Sequence, residues 1–307
     1  MKGLELSEKF FMEQGLPLLE KKFPHLLEHM TVGLVGQGSE CLGFDDEISR
    51  DHDWGASFCI WLPEEIYAKE GKALQKVYEQ LEVSSGGYPK RNTAAQGRGR
   101  TGVLETGAFY YSLIGCRGIP ETNTEWLYAP ETAYSCAANG KLFYSSGSAF
   151  EKIRAGLLQY YPEDIRLKKI AARAVTMAQA GQYNYIRCRK RKDQVAAVLS
   201  LSEFMKASCS MIHLLNRQYM PFYKWSYKSA EKQPILGNTA QRLCLLAKSP
   251  LAWENEGIIE QICIEVKEEL RRQRLTDLDC DFLEPHGTEI MSRIEDMRIR
   301  TLPVLFG

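Results

Sequence analysis

The chain has no CxxC pair, no uncharged apolar run of the roughly eighteen residues a membrane span needs, no P-loop and no excess of either charge. Each absence removes a class of protein. Nine cysteines, odd in number and scattered from Cys41 to Cys280, suit neither a disulfide framework nor a zinc site, so they are expected as reduced thiols, mostly small buried hydrophobes. The first thirty residues mix Glu, Lys and Phe without an uninterrupted apolar core, so neither a secretory leader nor a span is expected and the location expected is cytoplasmic. Lys plus Arg number 39, as do Asp plus Glu, an average that speaks against a generic polyanion binder. Neither a membrane nor a nucleic acid is expected as a partner.

What is present is ordinary globular composition: 307 residues, 44% hydrophobic and 25% charged. That length suits two domains, and the expected division is 1–139 as an α/β domain and 140–307 as a helical one. The charge divides too. Residues 1–139 hold 13 basic and 20 acidic side chains, residues 140–230 hold 16 and 5, and residues 231–307 hold 10 and 14. An acidic first part suits cation binding and a basic middle suits an anion such as phosphate; two regions complementing each other account for the pattern equally well.

Apolar spacing interrupted near Gly15–Pro17 and at Pro24 predicts two or three short helices before Met30. Thr31–Val35 is predicted as a strand ending in the turn Gly36-Gln37-Gly38-Ser39, Trp54–Leu62 is β-prone, and Pro63-Glu64-Glu65 opens a helix to about Leu81. Residues 84–101, rich in Gly, Ser and Arg, read as a long exposed loop. Gly102–Thr106 is predicted as a strand and Ala108–Ile114 as a helix, and the domain junction is placed within 120–147, which mixes Pro, Gly, Asn and Ser. Beyond Ala149 the spacing becomes helical, over 149–161, 162–181, 193–215, 239–248 and 257–275, without repeats or low complexity.

The chemistry-bearing pattern is Gly38-Ser39, eleven residues, then Asp51-His52-Asp53. Residues i and i+2 of an extended segment share a face, so Asp51 and Asp53 can offer two carboxylates to one site. Two close like charges need a cation between them, and hard oxygen ligands suit Mg²⁺ with substrate phosphates. A Gly–Ser turn lets backbone N–H groups and the Ser39 hydroxyl approach an anion.

The Gly38-Ser39 turn, its spacer and Asp51-x-Asp53 resemble the signature of the DNA polymerase β-like nucleotidyltransferase superfamily. More specifically the chain resembles the DUF4037 family, also through Ala108–Gly115, Tyr160–Asp164 and Leu214–Trp225. The resemblance implies an α+β fold: a small mixed sheet flanked by helices, followed by a helical bundle, a layout similar to aminoglycoside nucleotidyltransferases. It implies that Asp51 and Asp53 bind Mg²⁺ bridging a nucleoside triphosphate, ATP in the simplest case. Gly38 and Ser39 would hold its phosphates, and an acceptor hydroxyl would displace pyrophosphate.

A third carboxylate is usual in such chemistry. Glu105, on the strand Gly102–Thr106, is the first candidate for ligand or general base, and an edge-strand surface glutamate is the alternative; Asp193 and Glu203 follow, either of them equally a helix-surface acid. Lys224 beside Trp225 could meet phosphate and stack a base. Lys90 and Arg91 could fold over a triphosphate or stay exposed. The run Arg187-Cys188-Arg189-Lys190-Arg191-Lys192 lacks interleaved aromatics and reads first as a solvated turn. His52 points away from the aspartates, and His213 is a satisfied core histidine. Besides the enzyme, two readings stay open: a nucleotide-binding sensor or partner subunit without turnover, and an antitoxin-like transferase acting on a partner.

Overall fold

Short apolar runs ended by glycine set the centre of the first half. In the computed structural model, which describes residues 1–51, 54–81, 87–89, 91 and 99–307, the strands are β1 (Thr31–Leu34), β2 (Cys59–Leu62), β3 (Gly102–Glu105) and β4 (Lys141–Tyr144). The helices in chain order are α1 (Gly3–Phe10), α2 (Leu16–Lys22), α3 (Glu64–Glu79), α4 (Thr106–Ile114), α5 (Asn123–Tyr128), α6 (Glu131–Ala138) and α7 (Ala149–Leu158). Then follow α8 (Glu163–Met177), α9 (Ile186–Lys190), α10 (Gln194–Leu215), α11 (Tyr223–Ala230), α12 (Gly237–Lys248), α13 (Asn255–Arg272), α14 (Leu283–Ser292) and α15 (Met297–Arg300). The fold is α+β, with one small mixed sheet and many helices, as expected. Met1–Pro120 with Tyr128–Gln159 form one unit, and Glu121–Leu127 with Tyr160–Gly307 form the other.

In the first unit the sheet order is β3-β2-β1-β4. β1 pairs antiparallel with β2 and β4, and β2 pairs parallel with β3. All four residues of β2 are buried, so both its faces are covered. Alternation assigns the faces: Ile60 and Leu62 join Phe10, Phe11, Phe58 and Val32 in one cluster. Trp61 points the other way and stacks on Phe150 of α7, ring centroids 3.8 Å apart, with Phe109 of α4 against its edge. α3 begins after Pro63 with Glu64 and Glu65 in its first turn, where acidic side chains favour the helix dipole.

The stretch 120–147, expected to hold the domain junction, contains α5, α6 and β4; the chain passes between the units at Pro120/Glu121 and Leu127/Tyr128, and the division expected at 139/140 falls between α6 and β4. Gly140 makes the turn into β4 possible. Its φ is +67° and a Cβ there would lie 1.9 Å from the Leu34 carbonyl oxygen.

The second unit is helical and built around α10. Leu201, Phe204, Met211 and Leu214 of that helix are buried, against α8, α11 and α12 among others. Gln194–Leu215 has the length and mean hydropathy of a membrane span. Glu203 and Lys206 interrupt it, and half of its most apolar window is buried, which is how a core helix reads. α8 continues through a stretch of wide turns, Ala178–Tyr185, into α9. Gly181 lets that stretch approach α10, since a Cβ there would lie 2.3 Å from the Phe204 ring. All nine cysteines are free; Cys41, Cys59, Cys209 and Cys263 are buried, and burial pushes the Cys41 and Cys263 thiols well up.

Candidate functional site

β1 leads directly into the turn Gly36–Ser39. Gly36 (φ +126°) and Gly38 (φ +149°) both occupy backbone space that other residues rarely adopt. Asn139, just after α6, clamps the turn from both sides: its Oδ1 accepts from the Gly36 amide at 2.9 Å and its Nδ2 donates to the Gly36 carbonyl at 2.8 Å. Gly38 has a second requirement, because a Cβ there would come within 2.7 Å of the Glu40 carboxylate. Ser39 is half-buried, and its hydroxyl has no hydrogen-bond partner among the described residues.

Glu40 is the residue the sequence reading missed. It is buried and meets Arg91, whose Nη1 and Nη2 lie 3.2 and 3.1 Å from Glu40 Oε1; Nη1 also donates to Ser57 Oγ at 3.0 Å. Burial raises the Glu40 carboxyl above its usual range while Arg91 opposes the shift. Arg91, expected to be exposed or to reach over a triphosphate, is instead a buried anchor beneath the turn. Lys90 lies outside the described residues.

Asp51 follows the single helical turn Ile48–Arg50, is exposed, and has helical backbone angles (φ -68°, ψ -34°). The extended geometry expected at this position is therefore not found there. The reason lies in the ladder: β1 pairs with β2 only as far as Gly33↔Cys59 and then turns at Gly36, so residues upstream of Cys59 have no β1 strand to extend against. Asp53 and His52 lie outside the described residues. Asp51 closes an acidic loop with Asp45, Asp46 and Glu47. Asp45 is buried, accepts from the Gly3 amide at 2.8 Å, and pairs with Lys2 at 3.7 Å. Among the described residues no group of three His, Cys, Asp or Glu side chains is arranged to hold a metal. The donor chemistry, carboxylate oxygen in an acid-rich loop, fits a hard divalent cation.

The strand pairings decide what lies near what. Antiparallel pairing of β1 with β2 brings the Gly36–Ser39 turn to the end of β2 at which the Asp51 segment enters. Parallel pairing of β3 sets Glu105 opposite Leu62, at the other end of β2. There Glu105 caps α4: Oε1 accepts from the Gly107 amide and Oε2 from the Ala108 amide, both at 2.6 Å, with Arg117 at 2.9 Å. The capping signal was legible, an acidic residue one position before a helix. A cleft of about 400 Å³ lies across this face, lined among others by Gly36, Gln37, Arg100, Glu105, Phe109 and Ser112.

The remaining candidates are in the second unit. Asp193 caps α10, accepting from the Ala196 amide at 3.0 Å, and Glu203 is exposed midway along it. Lys224 is exposed on α11 with Nζ 5.2 Å from the Trp225 ring. His213 is fully buried, with Nδ1 2.7 Å from the Cys209 carbonyl oxygen and Nε2 2.8 Å from Ser229 Oγ, as a core histidine should be.

Residues 126–226 match the family DUF4037, a domain of unknown function, which supports the resemblance to that family over this segment. The segment includes Tyr160–Asp164, Leu214–Trp225 and the basic run, but not the turn at Gly38 or Asp51. No curated protein and no solved structure matches the chain.

Proposed function

We propose that the first unit is a DNA polymerase β-like nucleotidyltransferase that moves a nucleoside monophosphate, AMP from ATP in the simplest case, onto a hydroxyl of a small molecule or protein. The observation that carries the reading is the β1–β2 pairing, which sets a glycine-rich turn bearing the Ser39 hydroxyl at the end of the sheet where the Asp51 segment enters. Asp51 and Asp53 would hold Mg²⁺, which supplies charge neutralisation for the triphosphate and the leaving group. Backbone N–H groups of the turn and the Ser39 hydroxyl would donate to the phosphate oxygens. The acceptor oxygen forms a bond to the α-phosphorus as the bond to pyrophosphate breaks, and the acceptor proton passes to a base or solvent.

Calorimetric titration with ATP and Mg²⁺ tests the site. The wild type is expected to bind, and Asp51→Ala combined with Asp53→Ala to lose the Mg²⁺-dependent heat; absence of binding of any nucleoside triphosphate by the wild type would sink the assignment. One observation favours the second reading, a nucleotide-binding sensor without turnover: both Glu105 oxygens are occupied in capping α4, so the proposed third carboxylate is engaged elsewhere. Pyrophosphate release over a panel of hydroxyl acceptors separates the two, and Glu105→Gln with unchanged turnover would leave Glu105 as a cap only.

A further inference from the structure

The run 187–192 places five cations in six residues, on α9 and the turn after it. Among the described residues none of these five side chains forms an ion pair, whereas other cations of this unit, such as Arg166, Lys267 and Arg293, meet carboxylates. The fold also supplies the aromatics that the run itself lacks. Arg187 lies over Tyr183, 4.6 Å from the ring centroid, and Arg189 over Trp253, 4.4 Å from its centroid. Both rings are largely exposed, Tyr183 by 49% and Trp253 by 64%.

This arrangement is built rather than accidental. The buried Tyr185 donates its hydroxyl to the Pro250 carbonyl at 2.8 Å and accepts from Asn255 Nδ2 at 3.0 Å, fixing the segment that carries Trp253 against the start of α9. Between them is a cavity of about 260 Å³ lined by Arg189, Lys192, Asp193, Gln194, Leu251 and Trp253. Asp193 is engaged in capping α10. One Arg189 nitrogen, Nη1, is buried without a hydrogen-bond partner.

We infer that this face of the second unit binds single-stranded nucleic acid, with the cations along the phosphates and unpaired bases stacking on Trp253, Tyr183 and their guanidinium partners. Clustered unpaired cations supply charge complementarity to a phosphate chain. Exposed rings beside arginines are the platform that splayed bases, but not a closed duplex, can use. The exposed Val195 and Leu199 at the start of α10 offer the competing partner, an anionic membrane surface.

Fluorescence anisotropy with a labelled single strand of about 20 nucleotides, RNA and DNA in parallel, tests the inference against a duplex of equal length and phosphatidylserine vesicles. The single strand is expected to bind, with affinity falling as salt rises. Trp253→Ala should weaken it about tenfold and Trp253→Phe should restore most of that. Arg187→Gln with Arg191→Gln should lower the log–log salt slope by about 1.4, two phosphate contacts for a single strand. Asp51→Ala with Asp53→Ala should leave strand binding unchanged, so the result is independent of the triphosphate site. Vesicle binding without strand binding, equal affinity for the duplex, or an unchanged affinity in Trp253→Ala overturns it.

Discussion

The sheet region of the first unit and the basic run of the second treat charge in opposite ways. In the first, side chains that look like surface charge in the sequence turn inward: Glu40 with Arg91, Asp45 with Lys2, Glu105 with the amides of α4 and Arg117. In the second, a block of five cations has no carboxylate partner among the described residues, although acids are plentiful along the chain. A buried pair makes each partner necessary to the other, because removing one strands a charge in low dielectric. An exposed cation without a carboxylate partner is nearly neutral for folding.

Three stability measurements would break or sharpen that contrast. Arg91→Ala is expected to cost about 3–5 kcal/mol in chemical denaturation, since it leaves Glu40 buried and uncompensated. A loss under about 1 kcal/mol would mean that Glu40 takes up a proton or reaches water, and the contrast would fail in the first unit.

Glu289 tests a paired carboxylate in the second unit. Although burial pushes its carboxyl up, the Thr276 hydroxyl, Arg293 and the Asp277 amide together hold it down to about 2, against an ordinary 4.5. A folded value below the unfolded one gives stability that is complete above pH ~4.5 and lost as pH falls toward ~2. Glu289→Gln is accordingly expected to lose on the order of 2 kcal/mol at pH 7 and to show a flatter decline between those values; parallel wild-type and variant curves would discount the pairing.

The smallest effect is expected from Arg187→Gln with Arg191→Gln, within about 0.5 kcal/mol of wild type by the same denaturation. A larger loss would give those arginines a folding role and weaken the reading of an outward-facing surface.

Elements with a continuous local signal were legible in the sequence. β1, β3, α3, α8 and α10 each combine an apolar run with a proline, glycine or acidic residue at a boundary. β4 was not, because Lys141–Tyr144 is a partly exposed strand at the sheet edge and owes its conformation to pairing with β1. The fold class could be read; the sheet's fourth member could not. The Gly38–Ser39 turn was readable because glycine alone fits its backbone, whereas Glu40 acquires its partner from 51 residues away, a relation no local pattern encodes. The contact of Arg189 with Trp253 was hidden for the same reason, because the ring beneath the guanidinium comes from residue 253.

The wide turns of Ala178–Tyr185 link two helices that would otherwise run on in phase. An α-helix advances about 100° per residue, and turns closed one residue later advance less, so the segment works as an angular offset between α8 and α9. α8 is buried along most of its length, while α9 has no fully buried residue. The offset is therefore what converts a core helix into a surface one without a loop, and the heading of the arginines becomes a matter of residue count. A single insertion or deletion between Met177 and Ile186 would leave every side chain of the run intact and yet swing it away from Trp253.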